Sequence, residues 1–97
     1  MADTIRGKVT YIMDRRTFAL DVTHVGKANR GEYLTTETIR IYNTQSPQLN
    51  TPGVERTKLI LQDKLLGKEV RCYVRSRDTY HRIVAEVEIL QEKEATA

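Results

Sequence analysis

One change of period governs what this chain can fold into. Apolar residues recur at every second position in the first part of the chain, at helical spacing from Val54 to Leu65, and at every second position again from Val70 to Ile89. Alternation is the mark of a strand with one buried face, and a single helical window limits the fold to strands interrupted once by a helix. Ile5, Gly7, Val9 and Tyr11 alternate with Arg6, Lys8 and Thr10 in a first strand. Phe18, Leu20 and Val22 alternate with Ala19, Asp21 and Thr23 in a second, and Ile39 and Ile41 with Thr38, Arg40 and Tyr42 in a third. The long connection between the second and third strands holds Gly26, Asn29 and Gly31, residues that tolerate turns. It has the length to extend both strands as a hairpin arm.

Thr51-Pro52 reads as a helix cap followed by proline at the first helical position. Val54, Thr57, Leu61 and Leu65 follow at helical spacing, and Gly67 supplies the left-handed residue that ends a helix, which predicts a helix from about Pro52 to Leu66. Beyond it Val70, Cys72 and Val74 alternate with Arg71, Tyr73 and Arg75. A polar turn from Ser76 to His81 leads to a last strand carrying Ile83, Ala85, Val87 and Ile89 on one face. The class is mainly β with one helix. Three strands, a helix and two strands is the order of the OB-fold, a five-stranded Greek-key barrel with its helix between strands 3 and 4. The expected core is Val9, Phe18, Leu20, Ile41, Leu61, Leu65, Val70, Val74, Ile83, Ala85 and Val87.

Ninety-seven residues suit a single domain, here 4–90, with a polar C-terminal tail at 91–97. No run approaches the ~18 apolar residues of a membrane helix. The opening MADTIRGKV has no apolar segment of secretory type, which predicts a cytoplasmic product. The single cysteine, Cys72, excludes an internal disulfide and a multi-cysteine zinc site, and its apolar neighbours mark it as a small buried hydrophobe. His24 and His81 lack ligand spacing, so no metal site is expected of them. A net charge of +3 is compatible with a nucleic-acid partner without requiring one.

Three segments resemble the staphylococcal-nuclease-like (thermonuclease) family. Asp14-Arg15-Arg16-Thr17-Phe18 has the layout of its D-G-D-T-F motif. Arg40-Ile41-Tyr42-Asn43-Thr44-Gln45-Ser46-Pro47-Gln48 has that of R-L-x-x-x-D-[TA]-P-E, and Asp78-Thr79-Tyr80-His81-Arg82 that of D-x-Y-G-R. Leu65-Leu66-Gly67-Lys68-Glu69-Val70 also resembles the family's helix end and fourth strand, so the likeness runs from about residue 5 to 90. It implies an OB barrel. In active members it implies calcium held by two aspartates, a glutamate that activates water, and two arginines that stabilise the transition state. Here the metal ligands become Arg16 and Gln45 and the glutamate becomes Gln48, while Arg40 and Arg82 stand at the arginine positions and Tyr80 at a nucleotide-contacting tyrosine.

The chemistry of those replacements opposes calcium. Calcium draws on anionic oxygen ligands, and a guanidinium ~4 Å from a cation is repelled by roughly 4 kcal/mol per unit of the cation's charge at an effective dielectric of 20. A glutamine amide does not serve as a general base. No catalytic residues, metal or cofactor are therefore expected, and Asp14 reads as an ion-pair partner for its arginine neighbours. Between Lys64 and Arg82 the basic residues Lys64, Lys68, Arg71, Arg75, Arg77 and Arg82 face only Glu69 and Asp78. Interleaved with Tyr73 and Tyr80, they suit a single strand, whose backbone needs cations and whose bases need flat partners. The phosphate or nucleic-acid site expected from these readings is Arg16, Arg40, Tyr80, Arg82, Tyr73 and Arg75, with single-stranded DNA or RNA as partner. The plainer reading of each is a solvated strand exterior, and Glu86, Glu88, Glu92 and Glu94 make one side acidic. Three functions stay open: a catalytically inactive binding domain, a protein-interaction or structural module, and a phosphodiesterase nuclease with a rebuilt site.

Overall fold

The structure is a computed structural model, and it describes residues 3–44 and 58–90. Strands β1 (Asp3–Asp14), β2 (Thr17–Val25) and β3 (Thr36–Thr44) precede helix α1 (Lys58–Leu65), and β4 (Glu69–Arg77) and β5 (Ile83–Ile89) follow it. The strands close a barrel in the order β1-β2-β3-β5-β4. Every seam is antiparallel except β3–β5, which is parallel. This is an OB-like barrel, mostly β, with its one short helix between the third and fourth strands. The expected start of the helix, Thr51-Pro52, lies outside the described residues, and Leu66 falls in the turn after α1. Gly67 takes φ 79° there and ties the helix end to β1, its amide donating to the Val9 carbonyl at 2.9 Å. Among the described residues no helix is long and apolar enough to cross a membrane.

The core is Ile5, Val9, Ile12, Phe18, Leu20, Ile39, Ile41, Leu61, Leu65, Val70, Cys72, Ile83, Ala85 and Val87, with Val74 packed against it half-buried. Ile12 replaces Tyr11 as the inward residue of β1. Val9 pairs with Leu20 and Tyr11 with Ala19, so Thr10 is an extra residue, a bulge that flips the phase of everything beyond it. Tyr11 is consequently 58% exposed instead of inward. A second irregularity sits opposite Gly7, which pairs with Val22 while Arg6 pairs with His24. There β2 crosses so near β1 that a Cβ on Gly7 would fall on the Asp21 carbonyl oxygen and 2.9 Å from Val22 Cα. Bulges and bare backbone at such points let a sheet bend into a closed barrel.

The β2–β3 connection folds back onto β1 instead of continuing the ladder as an arm. Asn29 imitates a strand partner, its side-chain oxygen accepting from the Thr4 amide at 2.8 Å and its Nδ2 donating to the Thr4 carbonyl at 2.7 Å. The Asp3 carboxylate accepts from the amides of Arg30 and Gly31 and from the Tyr33 hydroxyl, the last at 2.7 Å. The Tyr33 hydroxyl bond and the two amides hold the Asp3 carboxyl below the ordinary aspartate value of 3.8. Burial, with the Asp3 bond adding to it, pushes the Tyr33 phenol up to about 12.

A group whose folded pKa lies below its unfolded one contributes stability above the unfolded value and loses it as pH falls through the folded one. Asp3, Asp14 and Asp78 are all of this kind. The thermal midpoint is expected to fall steadily as pH drops below about 4. Asp3→Asn should lower the midpoint at pH 7 and flatten its acid dependence; parallel curves for parent and variant would sink the assignment to this clasp.

Candidate phosphate and nucleic-acid site

Two turns and one strand carry the residues in question. The β1–β2 turn is tied by its own first residue, the Asp14 carboxylate accepting from the Arg16 amide at 2.8 Å. Burial pushes the Asp14 carboxyl up, but the Arg16 amide, the hydroxyl and amide of Thr17, and the nearby Arg40 guanidinium bring it below the ordinary value. Asp14 is thus a turn acceptor, not the ion-pair partner the sequence led us to expect. The turn lies beside β3, for the Arg16 carbonyl accepts from the Ile41 amide at 2.8 Å and Thr17 pairs with Arg40. Arg40 pairs on its other side with Val84 of β5, two residues after Arg82. The backbones of Arg16, Arg40 and Arg82 therefore converge where β2, β3 and β5 run side by side. Among the described residues Arg16 and Arg40 form no ion pair.

Arg82 is differently placed. In the β4–β5 turn the Asp78 carboxylate accepts from the amides of Tyr80 and Arg82, both at 2.9 Å, and from Arg82 Nε at 2.7 Å. Burial raises the Asp78 carboxyl, and these donors together bring it below the ordinary value. His81 adopts φ 66°, the left-handed conformation needed to reverse the chain, as the glycine of the resembled motif would. The turn holds Tyr80 out in solvent, 76% exposed, with the Arg82 guanidinium carbon 5.2 Å from its ring centre. Arg82 braces an aromatic ring and pairs with one carboxylate, whereas among the described residues Arg16 and Arg40 form no ion pair and Arg40 acts on Asp14 only through its field.

Tyr73 and Arg75 stand apart from this convergence. Strand β5 lies against β4 with Glu88 opposite Arg71 and Glu86 opposite Tyr73. Tyr73 donates its hydroxyl to Glu88 at 2.8 Å, Arg71 reaches the same carboxylate at 3.4 Å, and Arg75 pairs with Glu86 at 3.2 Å. Arg77 is taken by Glu37 of β3. The basic excess of this stretch of sequence is matched by carboxylates that strand pairing brings across. Arg75 also lies over Tyr42 on β3, its guanidinium carbon 4.4 Å from the ring centre. Tyr42 is 57% exposed and is the aromatic residue the sequence reading passed over. The signal was its place on the outward phase of Arg40.

Among the described residues no group of three or more histidine, cysteine, aspartate or glutamate side chains is placed to hold a metal ion. The described part of the cluster offers two carboxylates, Asp14 and Asp78, each turned toward the amides of its own turn, with the Arg40 guanidinium near the first and Arg82 paired to the second. Gln45 and Gln48 lie outside the described residues. What this arrangement can do is hold phosphate oxygens in guanidinium forks and set a base on a flat ring. A separate cavity of about 150 Å³ bordered by Arg6, His24 and Arg71 shares no residue with it, and both arginines there are paired, to Glu69 and Glu88. Burial pushes the Cys72 thiol up to about 12, which makes it inert at neutral pH. No protein-family model matches this chain, and comparison with curated proteins finds no match.

Proposed function

We propose that this protein is a catalytically silent, nuclease-like OB domain that binds single-stranded nucleic acid weakly, through phosphate at Arg16 and Arg40. The observation that carries the reading is a pair of arginines that form no ion pair among the described residues, beside a turn that presents Tyr80. Phosphate is the ligand class that matches two guanidinium forks, and a solvent-exposed tyrosine beside them matches an unpaired base. A duplex keeps its bases stacked within itself and gains nothing from Tyr80. Catalysis has no place in this reading, because no carboxylate at the family's metal and base positions remains to hold calcium or activate water.

The test is titration of a labelled oligothymidylate over rising salt, with calcium or magnesium present and the strand recovered afterwards. Two to three phosphate contacts on a single strand give a log-affinity against log-salt slope of about −2 or shallower. Replacing Arg16, Arg40 and Arg82 together with alanine should abolish most of that slope. Equal binding by parent and triple variant at every salt, or no binding by the parent, transfers the assignment to the protein-interaction module. Cleaved strand that disappears in Arg40→Ala transfers it to a rebuilt nuclease.

A further inference from the structure

Tyr42 is the feature this reading leaves over. A tyrosine on a strand is ordinary, but its ring here is more than half exposed and has a guanidinium laid on one face. The guanidinium is itself fixed, because Arg75 Nη1 donates to Glu86 on the strand between them. β5 runs between β3 and β4, so Arg75 reaches across it to the Tyr42 ring, with Glu86 as the anchor midway. The Arg75–Glu86 pair has no net charge, so the platform neither attracts a phosphate nor repels one. Tyr80 has the same construction, with one face toward Arg82, Arg82 fixed by Asp78, and most of the residue in water.

The two rings are ordered along β5. Arg82 precedes Glu86 by four positions, about 13 Å of strand, and Arg40 pairs with Val84 halfway between. A braced ring, an arginine that forms no ion pair among the described residues, and a second braced ring thus follow one another along the outer side of the β3–β5 seam. Bracing removes ring motion before a ligand arrives, so a base stacked on it loses less entropy on binding.

We propose that Tyr42, held by Arg75 and Glu86, is a second base-stacking platform, and that a single strand runs along the β3–β5 seam with one base on Tyr80, a phosphate at Arg40 and a later base on Tyr42. This rests on the nucleic-acid reading above and adds to it a direction and a minimum length, since a mononucleotide does not reach both rings. Stacking tolerates any base, so the preference is for unpaired strand and not for sequence.

The experiment uses an oligothymidylate of about eight nucleotides, within the ~4–16 that an OB barrel covers. Tyr42→Ala is expected to weaken binding about tenfold with the salt slope unchanged, because a base contact is lost and no phosphate contact is. Tyr42→Phe keeps the ring and should bind as the parent does. Thymidine monophosphate should bind parent and Tyr42→Ala alike. As a check that needs no variant, a strand carrying 5-bromodeoxyuridine should photo-crosslink to both Tyr42 and Tyr80. Binding by Tyr42→Ala within twofold of the parent, or crosslinks at Tyr80 alone, overturns the second platform while the arginine dependence leaves the nucleic-acid reading standing. Absence of binding by the parent overturns both.

Discussion

Gly7→Ala is expected to prevent the barrel from closing, with a loss of more than about 3 kcal/mol, beyond the ordinary range for one excess methyl in a core. The added Cβ would land on the Asp21 carbonyl oxygen and 2.9 Å from Val22 Cα, and both neighbours are backbone. A side chain can rotate away from a new methyl; a carbonyl in a ladder can retreat only by breaking the β1–β2 seam. Gly67→Ala is the control. Its space is open, with nothing within 4 Å, so its cost is the left-handed backbone alone, about 1–2 kcal/mol. Soluble yield and thermal melting distinguish them: Gly67→Ala should fold with a lowered midpoint, and Gly7→Ala should yield no cooperative transition. A Gly7→Ala protein melting within a few degrees of the parent would mean that β1 and β2 cross less tightly than described.

Arg77→Ala should cost about 3 kcal/mol. The Glu37 side chain is only 4% exposed, and its carboxylate accepts from both terminal nitrogens of Arg77, at 3.3 and 3.2 Å, and from the Leu34 amide at 2.8 Å. Removing one partner of a buried pair typically costs about 3–5 kcal/mol because the other charge is stranded; Arg77 is 37% exposed, so water can enter and the lower end applies. Arg77 also donates to the carbonyls of His81 and Glu32 and lies over the Tyr33 ring. One side chain thus joins β4, the β4–β5 turn and the β2–β3 connection. The midpoint should fall by roughly 10–20 °C for a domain of this size. Adding Glu37→Gln to Arg77→Ala removes the stranded charge, keeps an acceptor for Leu34, and should recover part of the loss. A single variant within 2–3 °C of the parent on the same scale would show that the pair contributes little.

The strands and the class of fold were legible because they depend on local alternation. Gly67 and His81 both take the left-handed conformation that their places at a helix end and a tight turn suggest. Alternation fails at Thr10, where one extra residue reverses the phase and exchanges Tyr11 for Ile12 in the core. Nothing in the local pattern marks that residue, since a bulge is set by the curvature of the whole barrel. The site was legible as residue types and illegible as partners. Arg71, Arg75 and Tyr73 look like a basic, aromatic stripe until β5 lies beside them with Glu86 and Glu88. The β2–β3 connection looks free until Asp3, far from it in sequence, gathers Arg30, Gly31 and Tyr33. Pairing across a sheet decides which charges are spoken for, and alternation within one strand is silent about it. For the same reason Tyr42 was visible only as an outward residue until Arg75 reached it across β5.

The parallel β3–β5 seam has a consequence in time. β5 is inserted between β3 and β4, so the last of these strands to leave the ribosome is the one that both its neighbours require. Until Ile83–Ile89 emerges, β1, β2 and β3 can form a meander, but the outer edge of β3 and one edge of β4 have no partner. Open edges of this kind recruit strands from other chains, and contacts between residues distant in sequence form slowly. During synthesis the nascent chain therefore passes through an interval in which most of the barrel has been made and none of it is closed. In that interval its unpaired edges are open to other chains, and closure by β5 ends the exposure.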